Sequence, residues 1–227
     1  MIILTGASGG IGKELLTYLL PLDQVIGIYN KTEPIPSTDK RLAYEQLDLE
    51  NAADIKAFVH KWRDKLSKVT LLHFAALKID DLSTSCKEAN WDRIMGVNLK
   101  GDFLLTQALL PHMVQERWGR IIHVSSRGAV QGDVGTIAYS TSKTGLIGMS
   151  RVLAKEYARF NITSNVLILG HFELGLYNKL SNELKKALLN QVPSRTLGKV
   201  SDILGAIEFL IKSQYVNGAA INIDGGI

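Results

Sequence analysis

The chain has 227 residues, 46% of them apolar, and its 26 Lys and Arg residues against 22 Asp and Glu residues give a net charge of +4. This composition is typical of a globular protein and excludes the disordered, collagen-like and low-complexity classes. A single cysteine, Cys86, excludes an internal disulfide framework and a metal site built from several cysteines, and we expect no bound metal.

Neither nucleic acid nor a membrane is an expected partner. The basic residues are scattered along the chain, whereas nucleic-acid binding needs a clustered basic surface with interleaved aromatic side chains. No apolar run approaches the ~18 residues that a membrane span needs. Residues 1–6 lack the basic and apolar regions of a secretory leader, so we expect a cytoplasmic protein. The mild positive charge suits a phosphorylated or acidic ligand.

Short apolar runs alternate with segments of helical periodicity along the chain. The apolar runs predict seven strands, at residues 2–4, 25–29, 42–47, 69–74, 121–124, 162–169 and 219–223. The periodic segments predict a helix after the first strand and further helices at residues 55–62, 99–113, 139–157 and 201–211. We expect Phe103 to face the core and Ser201 to be the N-cap of the last helix.

Apolar strands that alternate with helices are typical of a parallel sheet with helices on both faces. No internal repeat or linker interrupts the pattern, so we predict one doubly wound α/β domain over residues 1–227. Ligands of such sheets bind beyond the carboxyl ends of the strands. The residues that follow each strand are therefore the candidates for function.

A glycine-rich turn, residues 5–12 with the sequence TGASGGIG, joins the first strand to the first helix. Glycine lets the backbone approach a ligand closely, and the N–H groups at a helix N-terminus attract a pyrophosphate. The spacing resembles the TGxxxGxG turn of the short-chain dehydrogenase/reductase family, which has a Rossmann-type fold. The resemblance extends over nearly the whole chain and implies cofactor contacts from Gly6, Ser8, Gly10, Ile11 and Gly12.

Asp48 and Leu49, after the third strand, are similar to the residues with which the family contacts adenine. Asp48 is equally suited to cap the helix that follows it. The two roles are compatible.

Tyr139 and Lys143 lie four residues apart in a predicted helix and so share one of its faces. This spacing is common by chance, but Ser126 ends the preceding strand and Asn98 opens the helix before that strand. The four residues are similar to the family's catalytic Asn-Ser-Tyr-Lys set. Ser126 is preferred to Ser125 because of the family's spacing to the tyrosine.

The resemblance implies a chemical role for each of these residues. Hydride transfer to a carbonyl leaves an alkoxide, which Tyr139 would protonate. The ammonium of Lys143 is expected to lower the tyrosine pKa from its usual value of about 10, and Lys143 would also bind the nicotinamide ribose. Ser126 would hold the substrate oxygen, and Asn98 would anchor a water next to Lys143.

The chain departs from the family pattern after two strands. Residues 73–76 are HFAA where the family has NNAG. The small residues Ala75 and Ala76 would still allow close approach of the cofactor. His73 is expected to be structural, with a ring nitrogen satisfied by a hydrogen bond. After the sixth strand, Leu174 stands where the family often has a threonine. Gly170 and the backbone around Phe172 would still meet the nicotinamide carboxamide.

Residues 171–197 align with the family's mobile substrate lid, and a plain surface helix is the alternative. The apolar residues of this stretch are Leu176, Tyr177, Leu180, Leu184 and Leu188.

Residues 119–122, 192–193 and 221–226 are most similar to 3-oxoacyl-acyl-carrier-protein reductases. Arg117 falls where those enzymes carry a basic residue that meets the acidic carrier, and Arg159 falls one place from a second. The substrate is therefore expected to be a small or carrier-bound carbonyl compound. Alternatives are a reductase of small ketones or sugars and a non-catalytic nucleotide sensor, although the complete catalytic set argues against the sensor. The resemblance also implies a homodimer or homotetramer assembled through helices near residues 99–115 and 139–157.

The end of the second strand predicts a modest preference for NADP(H) over NAD(H). An NAD enzyme usually has an acidic residue there, which binds the ribose hydroxyls. Tyr29 occupies this position and no acidic residue lies between it and Glu33, so Asn30 and Lys31 would meet the 2′-phosphate. Gly9 stands where the family often has a second basic residue. Lys31 as a merely solvated loop residue is the alternative.

Overall fold

The computed structural model describes residues 1–174, 177 and 181–227. Its seven strands are β1 Ile2–Thr5, β2 Val25–Tyr29, β3 Leu42–Gln46, β4 Thr70–His73, β5 Gly119–Ser126, β6 Ile162–Leu169 and β7 Ala220–Ile223. Its helices are α1 Gly10–Leu19, α2 Ala52–Trp62, α3 Glu88–Met95, α4 Asp102–Glu116, α5 Arg127–Gln131, α6 Ile137–Tyr157, α7 Asn182–Gln191 and α8 Val200–Lys212. A π-helical segment, Gly96–Gly101, joins α3 to α4, and a 3₁₀ turn, Ala158–Phe160, follows α6.

All seven strands are parallel and lie in one sheet in the order β3-β2-β1-β4-β5-β6-β7. The predicted seven-stranded doubly wound sheet is therefore confirmed. The chain moves outward from β1 to β3 on one side and from β4 to β7 on the other. This reversal opens a crevice beyond the carboxyl ends of β1 and β4, where ligands of such folds bind.

Two apolar layers cover the sheet. Helices α1 and α8 pack on one face, for example through Leu15 and Ile207. Helices α2, α4 and α6 pack on the other face, for example through Phe58, Leu109 and Leu153. Alternate residues of each strand point to opposite faces. The five inner strands β1, β2, β4, β5 and β6 therefore contribute to both layers, whereas the edge strands β3 and β7 contribute to the first layer.

Several local predictions were wrong. The predicted helix at 99–113 begins as the π-helical segment, with α4 starting only at Asp102, and Phe103 is 43% exposed rather than turned to the core. Helix α8 begins at Val200, so Ser201 lies within its first turn. The carboxylate of Asp202 accepts the N–H of Lys199 at 2.7 Å and thereby supports the start of this helix.

None of the helices within the described ranges combines the length and the apolar character that crossing a membrane would require.

Candidate active site

A cavity of about 860 Å³ lies beyond the carboxyl ends of the strands. This volume is within the usual range for ligand sites. Most of the predicted site residues line it: Gly6, Ser8, Gly10, Ile11, Gly12, Asn30, Lys31, Asp48, Leu49, Ala75, Ala76, Ser126, Tyr139, Lys143 and Gly170. Asn98 and Phe172 are not among the lining residues. The fold thus joins segments from the whole length of the chain in one place.

The glycine turn forms the floor of the cavity between β1 and α1. Gly6 has a φ of +72°, and a Cβ atom built on it would lie 2.8 Å from the backbone nitrogen of Ala75. A Cβ on Gly12 would collide with the carbonyl oxygen of Gly6. The turn is closed by the Gly9 N–H, which donates to Gly6 O at 2.9 Å. These contacts explain why glycine is needed at both positions.

The start of α1 leaves backbone donors facing this turn. Its N-cap residue, Gly9, has no side chain to accept from the first-turn N–H groups. Such groups, together with the helix dipole, favour an anion. The turn therefore offers free backbone N–H groups, with glycine at the two positions where a side chain would collide, and it fits the pyrophosphate of a dinucleotide.

Asp48 and Leu49 reach the cavity from the loop before α2. Asp48 Oδ1 accepts the Glu50 N–H at 3.0 Å, which holds the loop. The cap of α2 is Asn51, whose side chain accepts from the first turn of the helix, so the alternative role of Asp48 as that cap was wrong. Leu49 is buried, and its Cβ would be 2.8 Å from a Cβ on Gly101.

The end of β2 forms the most exposed rim of the cavity. Asn30 and Lys31 are both exposed. The Asn30 carbonyl accepts from Gln46 Nε2 at 3.0 Å, and the ring of Tyr29 packs edge-on against that of Tyr44 at 6.5 Å. The backbone of this rim is thus supported by β3, while the Lys31 side chain faces solvent.

Ser126 and Tyr139 lie together at the opposite end of the cavity. Ser126 ends β5 and is also the N-cap of α5, where its Oγ accepts the Gly128 N–H at 3.3 Å. Ser125 is buried and donates its hydroxyl to the backbone oxygen of Lys143 at 3.0 Å. Ser126 therefore faces the cavity next to Tyr139, while Ser125 fastens α6 to the sheet.

The pKa of Tyr139 is raised, mainly because the ring is buried, and the charges of Asp133 and Asp80 add to the rise, whereas hydrogen bonding with Ser126 opposes it. The expectation that Lys143 lowers this pKa does not hold in this arrangement. The Lys143 ammonium instead donates to the Val124 carbonyl at 2.8 Å. Tyr139 is consequently protonated at neutral pH and suited to donate a proton.

Lys143 is almost completely buried, with 1% of its surface exposed. Burial lowers the pKa of its ammonium group, and the negative charge of Asp102 opposes this effect. Lys143 shares one face of α6 with Tyr139, as the four-residue spacing predicts.

Asn98 lies in the π-helical segment, beside α6. Its Nδ2 donates to the Leu77 carbonyl at 2.8 Å and to Ser142 Oγ at 3.1 Å, and its Oδ1 accepts the Leu77 N–H at 2.7 Å. The side chain thus ties the loop after β4 to α6. π-Helical turns often occur at functional sites.

His73 has the satisfied ring nitrogen that we expected, since its Nε2 lies 2.9 Å from Thr106 Oγ1. Two of its partners were missed from the sequence. Asp102 Oδ1 lies 3.0 Å from His73 Nδ1, and the ring of His123 stacks on that of His73 with a centroid separation of 4.9 Å. The two histidines meet because of the register of β4 and β5, which the sequence alone does not give.

The segment after β6 is packed more tightly than the sequence indicated. A Cβ on Gly170 would lie 2.6 Å from Asp224 Cα. Glycine is therefore needed at position 170 because the backbone near residue 224 packs against it. Phe172 is buried against Gly198, away from the cavity, while Leu174 lines it. The ring of Phe172 thus does not reach the cavity, and the contact expected from the backbone around Phe172 stays a prediction.

Of the predicted lid, Leu176 and Leu180 lie outside the described residues. Helix α7 has no fully buried residue, and Leu184 is 54% exposed. Tyr177 is half-buried, with the Lys185 ammonium 5.3 Å from the centre of its ring.

The chain was compared with known proteins. Residues 1–185 match the family model for short chain dehydrogenase. Nodulation protein G of Rhizobium sp. (strain N33) is 33% identical over 99% of this chain and 95% of the relative. The 3-oxoacyl-[acyl-carrier-protein] reductase FabG of Thermotoga maritima is 32% identical over 99% and 96%, and that of Rickettsia conorii is 32% identical over 99% and 95%.

A solved structure, ElxO with NADP bound, superposes with a TM-score of 0.91 over 99% of this chain and 97% of that protein. Its sequence is 23% identical, so the likeness concerns the fold.

Proposed function

The chain belongs to the short-chain dehydrogenase family and is an NAD(P)-dependent oxidoreductase; from this premise we propose that it reduces a carbonyl group with Tyr139 as proton donor. The observation that carries the proposal is the convergence of Ser126, Tyr139 and Lys143 on the cavity that the glycine turn forms. A bound NADPH or NADH would supply the hydride.

Each residue then has a distinct task. Ser126 holds the substrate oxygen toward Tyr139, which gives up its phenolic proton as negative charge develops on that oxygen. Lys143, anchored by the Val124 carbonyl, binds the nicotinamide ribose. Asn98 is a positioning residue, because its side chain bonds to both the loop at Leu77 and Ser142 of α6 and so fixes the loop to the helix.

The preferred cofactor in this proposal is NADP(H). Residues Ile28 to Thr32, which line the cavity at the end of β2, include no acidic side chain. A carboxylate at this place would repel a 2′-phosphate, and Lys31 offers it a positive charge. The preference is expected to be modest because Lys31 is exposed and water screens its charge.

We propose a 3-oxoacyl thioester on an acidic carrier as the substrate. The names of several relatives and the pair Arg117 and Arg159 support this choice. Arg117 ends α4 with a φ of +50° and donates to the Arg159 carbonyl at 3.0 Å. The guanidinium groups of both residues lie over the ring of Phe160, at 5.9 and 4.7 Å. The two arginines therefore form one basic patch.

This patch is at the far end of the sheet from the cavity of the same chain. It follows the last turn of α4, a helix of 15 residues that spans about 22 Å from its start beside the site. We therefore propose that a carrier bound at the patch presents its substrate to the cavity of a second copy, within a homo-oligomer.

The exposed face of α4 and α6 supports assembly through these helices. Phe103 and Val152 are 43% and 54% exposed. A surface cavity of about 730 Å³ lies between the two helices and is lined in part by Leu99, Phe103 and Met149. We propose that a second copy covers this face, in a homodimer or a homotetramer.

Three further assignments belong to the proposal. The described elements share one sheet, which supports a single domain over residues 1–227. Residues 171–197 act as a lid over the substrate, in keeping with the absence of fully buried residues in α7. The enzyme works in the cytoplasm.

The test is a screen of NADPH and NADH oxidation with carrier-linked 3-oxoacyl thioesters, short thioester mimics, free ketones and sugars. We expect the carrier-linked substrate to be reduced with the highest kcat/KM. Arg117→Glu should raise the apparent KM for the carrier-linked substrate and leave the KM for a short mimic unchanged. Rising salt should raise the wild-type KM for the carrier-linked substrate toward that of the variant, because salt screens exposed charges. Arg63→Glu, at an exposed arginine on the end of α2, is the matched control.

Equal kinetics of the wild type and Arg117→Glu on both kinds of substrate would contradict the carrier assignment and favour a reductase of small ketones or sugars. Binding of NADPH without oxidation of any carbonyl in the screen would favour a nucleotide sensor.

A further inference from the structure

Three ionisable side chains form a polar cluster inside the protein, the His73–Asp102–His123 cluster, and all three are 0% exposed. Asp102 Oδ1 lies 3.0 Å from His73 Nδ1, and Asp102 Oδ2 lies 3.7 Å from His123 Nδ1. The two imidazole rings are parallel to within 1°. Neither Asp102 nor His123 is part of the motifs that define the site, so the reaction as proposed above leaves them without a task.

Strand register explains how the cluster forms. His73 and His123 are direct neighbours on β4 and β5. They follow Leu71 and Ile121 by two residues and so share their face of the sheet, the one covered by α2, α4 and α6. Asp102 is the first residue of α4 and enters between the helix layer and the two rings. The carboxylate thus faces both histidines at the carboxyl end of the sheet.

Lys143 lies in the same layer, on α6. Its ammonium donates to the carbonyl of Val124, the residue that follows His123. Asn98, one helical turn before Asp102, bonds to Ser142, the neighbour of Lys143. The cluster and Lys143 are therefore adjacent. One hydrogen bond links Lys143 to the neighbour of His123, and another links Asn98, near Asp102, to the neighbour of Lys143.

A buried carboxylate is costly unless positive charge or hydrogen-bond donors compensate it. The ionisable groups that face Asp102 from the neighbouring elements are His73 on β4, His123 on β5 and Lys143 on α6. Burial lowers the pKa of His123 to about 4, so its ring is neutral at pH 7. His73, whose Nδ1 is the nearest of these atoms at 3.0 Å, and Lys143 both lower the pKa of Asp102 against the effect of burial, and Lys143 is the one fully buried lysine among the described residues.

We propose that Asp102, held in place by His73 and His123, is the buried counter-ion of Lys143 and keeps its ammonium charged in the closed interior. Asp102 is thereby a positioning residue that acts through Lys143. The inference rests on the proposed function only in that Lys143 acts at the site. The pairing of charges itself requires no substrate.

The competing explanation is a bound divalent cation, since two histidines and an aspartate are a common ligand set for zinc. The geometry disfavours it. An imidazole binds a metal in the plane of its ring, and two rings that are stacked in parallel have no common plane in which one ion could lie.

The first test is a double-mutant cycle read by thermal unfolding at pH 7.5. Lys143→Met should lower the melting temperature because it leaves the Asp102 carboxylate buried without its counter-charge. Adding Asp102→Asn to Lys143→Met should then raise the melting temperature by roughly 5 °C. Additive effects of the two substitutions would overturn the proposal. Should Asp102→Asn alone fail to fold, recovery of folding in the double variant supports the pairing, and failure of both overturns it.

The second test is the pH profile of carbonyl reduction. Asp102→Asn should shift the alkaline limb of kcat/KM to lower pH by about one unit, because Lys143 would lose its proton more readily. Thr106→Val, which removes the partner of His73 Nε2 but no charge, should leave the limb where it is. An unshifted limb in Asp102→Asn would overturn the proposal and leave the role of Tyr139 intact.

The third test, elemental analysis of the purified wild type, measures whether the cluster holds a metal. We expect less than a tenth of an equivalent of any divalent metal. One equivalent of zinc in the wild type that is absent from Asp102→Asn would make the cluster a metal site and overturn the counter-ion assignment.

Discussion

The two ends of the cavity each carry a lysine, but in opposite surroundings. Lys143, at the catalytic end, is 1% exposed and bonded to a backbone carbonyl, whereas Lys31, at the end of β2, is exposed to solvent. Charges interact strongly in the protein interior and are screened in water. We therefore expect the buried end to set the rate of the reaction and the exposed end to affect only which cofactor is preferred.

The largest effect is expected at the buried end. Tyr139→Phe should lower kcat by at least about a hundredfold, because the reaction loses its proton donor. NADPH affinity, measured by fluorescence titration, should change little. Tyr157→Phe, on the same helix α6 and also partly buried, is the control and should keep wild-type turnover. Near wild-type turnover of Tyr139→Phe would show that Tyr139 is not the proton donor and that the buried end does not set the rate.

The glycine turn connects the two ends, and its positions Gly6 and Gly12 leave no room for a side chain. Gly6→Ala should destabilise the protein by about 2 kcal/mol or more and weaken NADPH binding, since Gly6 has a φ of +72° and a Cβ would meet Ala75. Gly148→Ala, in α6 with no atom within 4 Å of its Cβ, should instead stabilise by roughly 0.5–1 kcal/mol. Denaturant unfolding of both variants measures the difference, and equal stability would show that the turn is not tightly packed.

Beneath the buried end, His123 should make stability depend on pH. Its pKa is about 4 in the folded protein, against 6.5 as the ordinary value, because burial disfavours the charged ring. Between these values the unfolded chain binds the extra proton, so stability falls as pH falls from 6.5 to 4, by roughly 3 kcal/mol. His123→Asn should flatten this part of the profile. An equally steep loss in the variant would assign the pH dependence to other groups.

The smallest effect is expected at the exposed rim. Lys31→Ala should reduce the preference for NADPH by roughly tenfold, and Tyr29→Asp should reverse it, within the tenfold to hundredfold range of one charge-assisted contact. Lys40→Ala, an exposed lysine further along the same loop, is the control. The ratio of kcat/KM for NADPH and NADH gives the preference. A wild type that uses NADH as efficiently as NADPH would contradict this reading of β2.

Much of the cavity could be predicted because its residues follow strands. The glycine turn, Asp48, Ala75 and Ser126 each come just after an apolar run, and a parallel sheet brings such positions to one edge. Tyr139 and Lys143 share a helix face by spacing alone. Phe172 shows the limit, because its neighbour Gly198 is distant in sequence and draws the ring away from the cavity.

The sequence by itself determined the order of the seven strands and the close approach at the glycine turn, since these depend on residue type and on local periodicity. Only the tertiary structure decided the charge environment of Tyr139 and Lys143. Asp102, His123 and Lys143 belong to three separate elements, and their burial against one another depends on strand register and helix packing. A pKa depends on distance and solvent access, which local sequence does not specify. For that reason the sequence did not predict the pKa of Tyr139 correctly. We expected Lys143 to lower it, but the lysine donates to the Val124 carbonyl and burial raises the tyrosine pKa.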